Sequence, residues 1–250
     1  METSGARLVV SRLLRGLIFP SVTFLGWYRK EVGAITVREA RVAKKKEKVT
    51  DAIVTVKGKL KVKPGKPAQV TSSEVVYTGP LFKVLKEQVH EPGVEPVSRD
   101  IIRHNGSVVV LAVDNSKSKK DPFIVIERQY RHAAGQYLYE VPAGKVDGDE
   151  DRLAAAKREL IEETGFRAKK WTKLTRYFAS PGFLGEWMQV YLAEGLTPGE
   201  AQPEPDERIQ IHLVRLSEVL RLIDAGEIRD GKTLVSVMLY ARLRTSKKKD

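Results

Sequence analysis

One stretch near the middle of the chain, residues 144–166, constrains the fold most because it combines a loop, a helix and a helix stop. Residues 147–149 read Asp-Gly-Asp, which are turn-forming types, and an Asp just before a helix can cap it. Residues 153–163 are rich in the strong helix formers Leu, Ala, Lys, Arg and Glu. Gly165 stands where helices commonly end in a left-handed residue. The stretch therefore predicts a helix over 153–163.

Three glutamates of this predicted helix share one face. Glu159 and Glu163 are four residues apart, and Glu162 lies beside them. Arg158 can pair with Glu162, whereas no basic residue stands at helical spacing from Glu159, and Arg167 falls beyond the helix stop. Carboxylate oxygens are ligands that Mg²⁺ and Mn²⁺ prefer. Taken alone, the cluster predicts either a cation site or a solvated acidic face.

The three glutamates also belong to a longer spacing pattern. Gly144 is followed by five residues and Glu150, then by seven residues and the run 158–166, Arg-Glu-Leu-Ile-Glu-Glu-Thr-Gly-Phe. This pattern resembles the signature of the Nudix hydrolases at every fixed position. The resemblance implies an α/β fold, the Nudix α/β/α sandwich with a mixed β-sheet. It also implies hydrolysis of a nucleoside diphosphate linked to another group.

A narrower resemblance comes from three runs outside this signature. These are Arg-Gln-Tyr-Arg at 128–131, Glu-Val-Pro-Ala-Gly-Lys at 140–145 and Ser-Pro-Gly-Phe-Leu-Gly-Glu at 180–186, with Pro181 sixteen residues after Gly165. They are similar to the ADP-ribose pyrophosphatase branch of the Nudix family, over roughly residues 73–244. The resemblance implies conversion of ADP-ribose to AMP and ribose 5-phosphate. GDP-mannose or another nucleotide sugar remains an alternative substrate, because the base pocket is not legible from sequence.

The resemblance also implies roles for the acidic residues. Glu159, Glu163 and the backbone carbonyl of Ala143 are the expected ligands of Mg²⁺, with Mn²⁺ as a substitute, and Glu162 is either a further ligand or a base. Glu186 is the expected general base, because this branch carries such a Glu on the loop after the Ser-Pro-Gly-Phe turn.

Four residues are expected to support this arrangement: Gly144, Glu150, Arg158 and Gly165. Arg158 can hold the row of glutamates by ion pairing. A glycine at position 144 allows the backbone to turn so that the Ala143 carbonyl faces the metal.

Substrate contacts are predicted at a second group of residues. Arg131 is a candidate phosphate clamp, because a guanidinium binds phosphate oxygens in a bidentate manner. Arg99 and Asp100 resemble residues that reach the substrate of the partner subunit in dimeric family members, which predicts a homodimer; a surface ion pair is the alternative. Three aromatic residues are candidates for stacking on adenine, with core packing as the alternative: Phe183, Tyr130 and Trp187.

The segment before the enzyme carries most of the excess positive charge. Of the formal net charge of +12, by our count +10 lies in residues 1–75. Within residues 8–28 the pattern suggests an amphipathic helix that ends at Pro20, and 53–62 alternate like a small hairpin. Three interpretations of this extension stay open: an accessory module, a tether to nucleic acid or an anionic membrane, or an over-extended start of the reading frame. An RNA-associated or nucleotide-sensing binding protein is therefore the alternative of another class.

The sequence predicts four parts. They are a basic extension at 1–70, a strand-rich segment with dimer contacts at 71–105, the Nudix domain at 106–245 and a basic tail at 246–250. Strands are expected at 75–77, 82–89, 99–102, 108–114, 123–126 and 210–213, and helices at 216–225 and 232–244. The chain has no cysteine, which excludes disulfides and thiolate chemistry and fits a cytoplasmic enzyme.

Overall fold

The computed structural model describes residues 65–80, 82–203 and 208–246. Predictions for the amphipathic helix within 8–28, the hairpin at 53–62 and most of the tail lie outside these ranges. The described strands are β1 Gln69–Thr78, β2 Lys83–His90, β3 Val97–Arg103, β4 Ser107–Asp114, β5 Phe123–Arg131, β6 Gln136–Glu140, β7 Ala143–Lys145, β8 Arg167–Phe178, β9 Trp187–Thr197 and β10 Gln210–Arg215. The described α-helices are α1 Arg152–Thr164, α2 Leu216–Asp224 and α3 Gly231–Ser246.

The strands form two sheets. Strands β1, β2 and β3 make a three-stranded antiparallel sheet. The second sheet has the order β10-β5-β4-β9-β8, with β6 paired to β5 and β7 paired to β4. It is mixed, because β4 runs parallel to β9 while its other pairs are antiparallel. The predicted fold class, α/β with a mixed sheet, is confirmed.

Strand β4 is the centre of the core and is covered on both faces. Residues 108–113 are all apolar and have no solvent exposure, as the unbroken apolar run predicted. Alternate side chains point to opposite faces. One set packs with residues of α2 and α3, such as Val219 and Val237, and the other packs with Ala155 and Leu160 of α1. The second sheet therefore lies between helices, as the sandwich requires.

Helix α1 begins and ends where its local sequence predicted. The carboxylate of Asp151 accepts hydrogen bonds from the N–H groups of Leu153 and Ala154 at 3.0 and 3.1 Å. Gly165 follows with a φ of 72°, and its N–H donates to the carbonyl of Ile161. A side chain at this φ is strained, so glycine suits this stop. These two caps set the ends of α1, and the packing of its buried face against β4 sets the direction in which its glutamates point.

A long strand was missing from the sequence-based prediction. Strand β8 pairs with β9 along Arg167–Phe178, with an irregularity between Lys173 and Thr175. This break, together with the exposed basic residues of the strand, hides its alternation.

No helix in the described ranges combines the length and the apolar character that crossing a membrane requires.

Candidate active site

A cleft of about 360 Å³ opens between α1, β7 and the loop that joins β8 to β9. Residues that are far apart in sequence meet on its walls. They include the three glutamates of α1, Ala143 and Gly144 of β7, Arg131 of β5, and Glu186 of the loop. The structure thus brings together the residues that the sequence predicted as metal ligands, phosphate clamp and base.

Arg158 lies across the row of glutamates and contacts more of them than predicted. Its Nη1 atom is 2.9 Å from Oε1 of Glu159 and 2.8 Å from Oε2 of Glu162, and its Nη2 atom is 3.1 Å from Oε2 of Glu150. The hydrogen bond with Glu150, above all, raises the pKa of Arg158 and lowers that of Glu150. The prediction that Glu159 lacks a basic neighbour is wrong, because the long arginine side chain reaches the adjacent residue as well as the next turn.

Glu163 ties α1 to strand β7. Its side chain is nearly buried, with the residue 4% exposed, and its Oε2 atom accepts a hydrogen bond from the N–H of Ala143 at 3.0 Å. A buried carboxylate is costly unless it is paired or hydrogen-bonded. The contact holds a carboxylate oxygen beside the Ala143 peptide, whose carbonyl was predicted to bind the metal.

The donor set of this cleft fits a divalent cation. Three carboxylates supply hard oxygen ligands, and Gly144 allows the Glu159 carboxylate to lie directly against the β7 backbone. Among the described residues, no three acidic or imidazole groups already converge as a metal-binding group. Arg158 donates hydrogen bonds to both Glu159 and Glu162. A cation held by both glutamates would share them with this guanidinium or replace it as their counter-charge.

A side chain at position 144 should displace the carboxylate of Glu159. A Cβ atom at this position would overlap that carboxylate and no backbone atom among its nearest neighbours. We expect Gly144→Ala to weaken divalent-cation binding with little loss of stability, because only the end of a flexible side chain has to move. Gly182→Ala is a suitable control, since a Cβ there meets nothing within 4 Å. Metal titration and thermal unfolding of both variants check this, and equal metal affinity in Gly144→Ala and the unaltered chain would contradict it.

Glu186 is held against the start of β4 by residues that sequence analysis missed. The hydroxyl of Ser107 donates to Oε1 of Glu186 at 2.6 Å, and Nδ1 of His104 lies 3.8 Å from the same oxygen. Because Nδ1 accepts the N–H of Gly106 at 3.0 Å, this nitrogen carries a lone pair and donates nothing to Glu186. Ser107 is therefore the group that orients the carboxylate.

Glu140 is a second residue that sequence analysis missed, and it binds Arg131. The Nε and Nη2 atoms of Arg131 donate to the two oxygens of Glu140 at 2.9 and 2.8 Å, and the Lys232 ammonium also contacts Glu140. Burial raises the pKa of Glu140, but hydrogen bonds and charge from Arg131 and Lys232 outweigh it and lower the pKa below its ordinary value. Glu140 belongs to the run 140–145, but sequence analysis gave this residue no role of its own.

This lowered pKa predicts a loss of stability in acid. The unfolded chain takes up a proton on Glu140 near pH 4.5, whereas the folded chain does so only at lower pH. The stabilising contribution is therefore present above pH 4.5 and is lost as the pH falls through the folded pKa. Thermal unfolding from about pH 6 to pH 3 should show a steeper loss for the unaltered chain than for Glu140→Gln. Equal slopes would contradict this prediction.

The remaining predicted residues lie away from the cleft. Arg99 and Asp100 lie on β3 with exposed side chains, opposite Glu87 and Lys86 of β2. Phe183 is 52% exposed and lines a separate cavity next to β3. The other two aromatic candidates, Trp187 and Tyr130, contact side chains outside the cleft.

The rings of Trp187 and Tyr130 pack against basic and aromatic side chains. The ring of Trp187 is flanked by the guanidinium groups of Arg152 and Arg176, each 4.4 Å from its centroid. The ring of Tyr130 contacts Tyr137 edge to face. Within the described residues, none of the three candidate aromatic side chains lines the carboxylate cleft.

Fold and cleft together define the class of protein: an α/β/α sandwich with a row of carboxylates on one helix. A model of the NUDIX domain matches residues 103–235. The chain is 35% identical over 175 residues to the ADP-ribose pyrophosphatase of Bacillus subtilis (strain 168), covering 69% of this chain and 91% of that protein. The chain therefore belongs to the NUDIX family, and the predicted resemblance and enzyme class, a Nudix pyrophosphohydrolase, are confirmed.

Two further similarities agree with this assignment. The chain is 35% identical over 165 residues to a GDP-mannose pyrophosphatase of Escherichia coli (strain SMS-3-5 / SECEC), covering 59% of this chain and 81% of that protein. A crystal structure of an ADP compounds hydrolase matches with a TM-score of 0.63 and 20% identity, covering 74% of this chain and 98% of that one, which supports the fold. Nudix hydrolases generally use divalent metal ions.

Proposed function

We propose that this protein hydrolyses the pyrophosphate bond of a nucleoside diphosphate sugar with Mg²⁺, and that ADP-ribose is its substrate. The observation that carries the proposal is the convergence of Glu159, Glu163, Arg131 and Glu186 on one cleft. Similarity to an ADP-ribose pyrophosphatase over 91% of that protein's length supports the choice of substrate. The products are AMP and ribose 5-phosphate.

The residues of the cleft divide the work of this reaction. Glu159, Glu163 and the Ala143 carbonyl would hold Mg²⁺ or Mn²⁺, with Glu162 beside them. When bound, such a cation neutralises phosphate oxygens and favours attack by water. Arg131 binds phosphate oxygens with the N–H groups that Glu140 leaves unused. These contacts neutralise and orient the diphosphate.

Glu186 supplies the base in this proposal. It accepts a proton from the attacking water as the water oxygen bonds to phosphorus and the bridging P–O bond breaks. Ser107 holds one oxygen of Glu186, so the second oxygen is available for the proton. Because Glu186 lies on the loop between β8 and β9, loop closure on the substrate would also help to exclude water.

A GDP-mannose pyrophosphatase activity is the second candidate, supported by the E. coli relative. Product analysis with ADP-ribose and GDP-mannose side by side, in the presence of Mg²⁺, tests both. We expect AMP and ribose 5-phosphate from ADP-ribose at the higher kcat/KM. A higher kcat/KM for GDP-mannose would replace the substrate, and turnover of neither compound would contradict the proposed function.

Three further proposals concern the oligomeric state, the cellular location and the role of residues 1–70. A homodimer that uses the strand-rich segment 71–105 would bring Arg99 and Asp100 to the partner's substrate, and light scattering of the full chain checks the dimer. The cytoplasmic location stays a prediction that cell fractionation tests. Removal of residues 1–70 separates the catalytic proposal from the RNA-associated alternative, since hydrolysis should survive while salt-dependent RNA binding should not.

A further inference from the structure

The beginning of helix α3 reaches the cleft although it lies far along the chain from the glutamates of α1. Lys232, the second residue of α3, lines the cleft and is 8% exposed. Its Nζ atom contacts the carboxylate of Glu140 and lies 3.1 Å from Oδ1 of Asp230. A lysine is almost never buried unless it is paired. These two carboxylates therefore allow the cleft wall to contain an ammonium group.

The hydrogen bonds leave donors for a ligand on this wall. An ammonium has three N–H groups, and Glu140 and Asp230 accept two of those of Lys232. A guanidinium has five, of which Arg131 gives two to Glu140. One buried carboxylate thus positions two cations that both face the cleft, and each has donors beyond this pair.

The backbone around Lys232 is fixed from two sides. Oδ2 of Asp230 accepts hydrogen bonds from the N–H of Thr233 at 2.9 Å and from its hydroxyl at 2.6 Å. The hydroxyl oxygen of Thr233 accepts the N–H of Val141 at 2.8 Å. Val141 stands two residues before Ala143, which lines the cleft. The start of α3 is therefore locked to the segment that carries the predicted backbone ligand.

We propose that Lys232 is a second phosphate-binding residue of this cleft, and that Glu140 is a positioning residue that holds Lys232 and Arg131 together. Two cations on one wall match the two phosphate groups of a diphosphate, since charge-assisted hydrogen bonds to phosphate are stronger than neutral ones. The naming of a diphosphate sugar as the ligand rests on the proposed function. The binding of a diphosphate group by Lys232 is separately testable.

Calorimetric titration of the full chain with inorganic pyrophosphate in the presence of Mg²⁺ tests this proposal. Lys232→Gln should bind pyrophosphate about tenfold or more weakly than the unaltered chain, because it loses a charged hydrogen bond. Lys232→Arg should recover part of the affinity. Arg242→Gln removes the same charge from an exposed position of α3 and should bind like the unaltered chain.

Kinetics with ADP-ribose separate phosphate binding from a merely structural role. Lys232→Gln should raise KM about tenfold while kcat changes less than about threefold, because a binding contact is lost. Should Lys232→Gln unfold at a much lower temperature, Asp230→Asn replaces it: this change removes one anchor of the ammonium but keeps its charge. Pyrophosphate affinity should then fall by a smaller factor.

The outcomes distinguish this proposal from the proposed function. A folded Lys232→Gln, or failing that Asp230→Asn, with the pyrophosphate affinity of the unaltered chain would overturn the role of Lys232, even if ADP-ribose is hydrolysed. Lys232-dependent pyrophosphate binding without turnover of any nucleotide sugar would support Lys232 and reject the proposed substrate. Absence of pyrophosphate binding by the unaltered chain would overturn the role of Lys232, and turnover of ADP-ribose would still decide the proposed function.

Discussion

Glu163→Gln should lower the turnover of ADP-ribose by roughly 10³-fold or more, the equivalent of about 4 kcal/mol in the activation barrier. The change removes the negative charge with which Glu163 is proposed to bind a divalent cation, but the amide oxygen of glutamine can still accept the N–H of Ala143. The side chain also keeps its size in a position that is 4% exposed. We therefore expect the helix and its contact with β7 to persist while catalysis is lost.

Initial rates and thermal unfolding measured on the same samples check this prediction. Lys157→Gln is the matched control, because it changes one charge at an exposed position of α1 outside the cleft. The control should keep both activity and melting temperature. A Glu163→Gln variant that loses activity only in proportion to its folded fraction would show that Glu163 supports the fold and not the chemistry.

Glu186→Gln should lower kcat by about 10²- to 10⁴-fold, the range that general-base catalysis contributes. Glutamine cannot accept the proton of the attacking water, although it can still accept the Ser107 hydroxyl hydrogen bond. Binding of Mg²⁺ and pyrophosphate should change little if Glu186 acts as the base and not as a metal ligand.

Ser107→Ala tests the same assignment from the other side. It removes the hydroxyl that orients Glu186 but keeps the carboxylate, so we expect a loss of less than about tenfold in kcat. Full activity in Glu186→Gln would remove Glu186 from the mechanism. Loss of Mg²⁺ binding in this variant would instead make it a metal ligand.

Local sequence signals predicted the parts of the fold whose stabilising contacts are themselves local. The cap at Asp151 and the stop at Gly165 act within one helical turn, so α1 was predicted almost to the residue. The unbroken apolar run of β4 predicted a strand that is covered on both faces. Strand β8 was missed because its pairing with β9 is interrupted and its exposed face is strongly basic.

In the site, too, local contacts were predicted and contacts between distant parts of the chain were not. The row of glutamates and Arg158 lie within one helix, and the resemblance to the Nudix signature gave them roles. The contact between Ser107 and Glu186 joins residues 79 apart in sequence, and the contact between Glu140 and Lys232 joins residues 92 apart. No periodicity reports such pairs, because they exist only once the sheet and α3 have packed. A polar residue that opens an apolar strand, as Ser107 does, is the one signal available beforehand.

The most direct test of the central claim is an electron paramagnetic resonance titration with Mn²⁺, which reports binding by the carboxylates whether or not the substrate is known. We predict saturable Mn²⁺ binding by the unaltered chain that Mg²⁺ competes for, that pyrophosphate strengthens, and that Glu163→Gln abolishes. Free Mn²⁺ signals of equal intensity for the unaltered chain and for Glu163→Gln, even with pyrophosphate present, would contradict the assignment of this cleft as a divalent-cation-dependent pyrophosphohydrolase site.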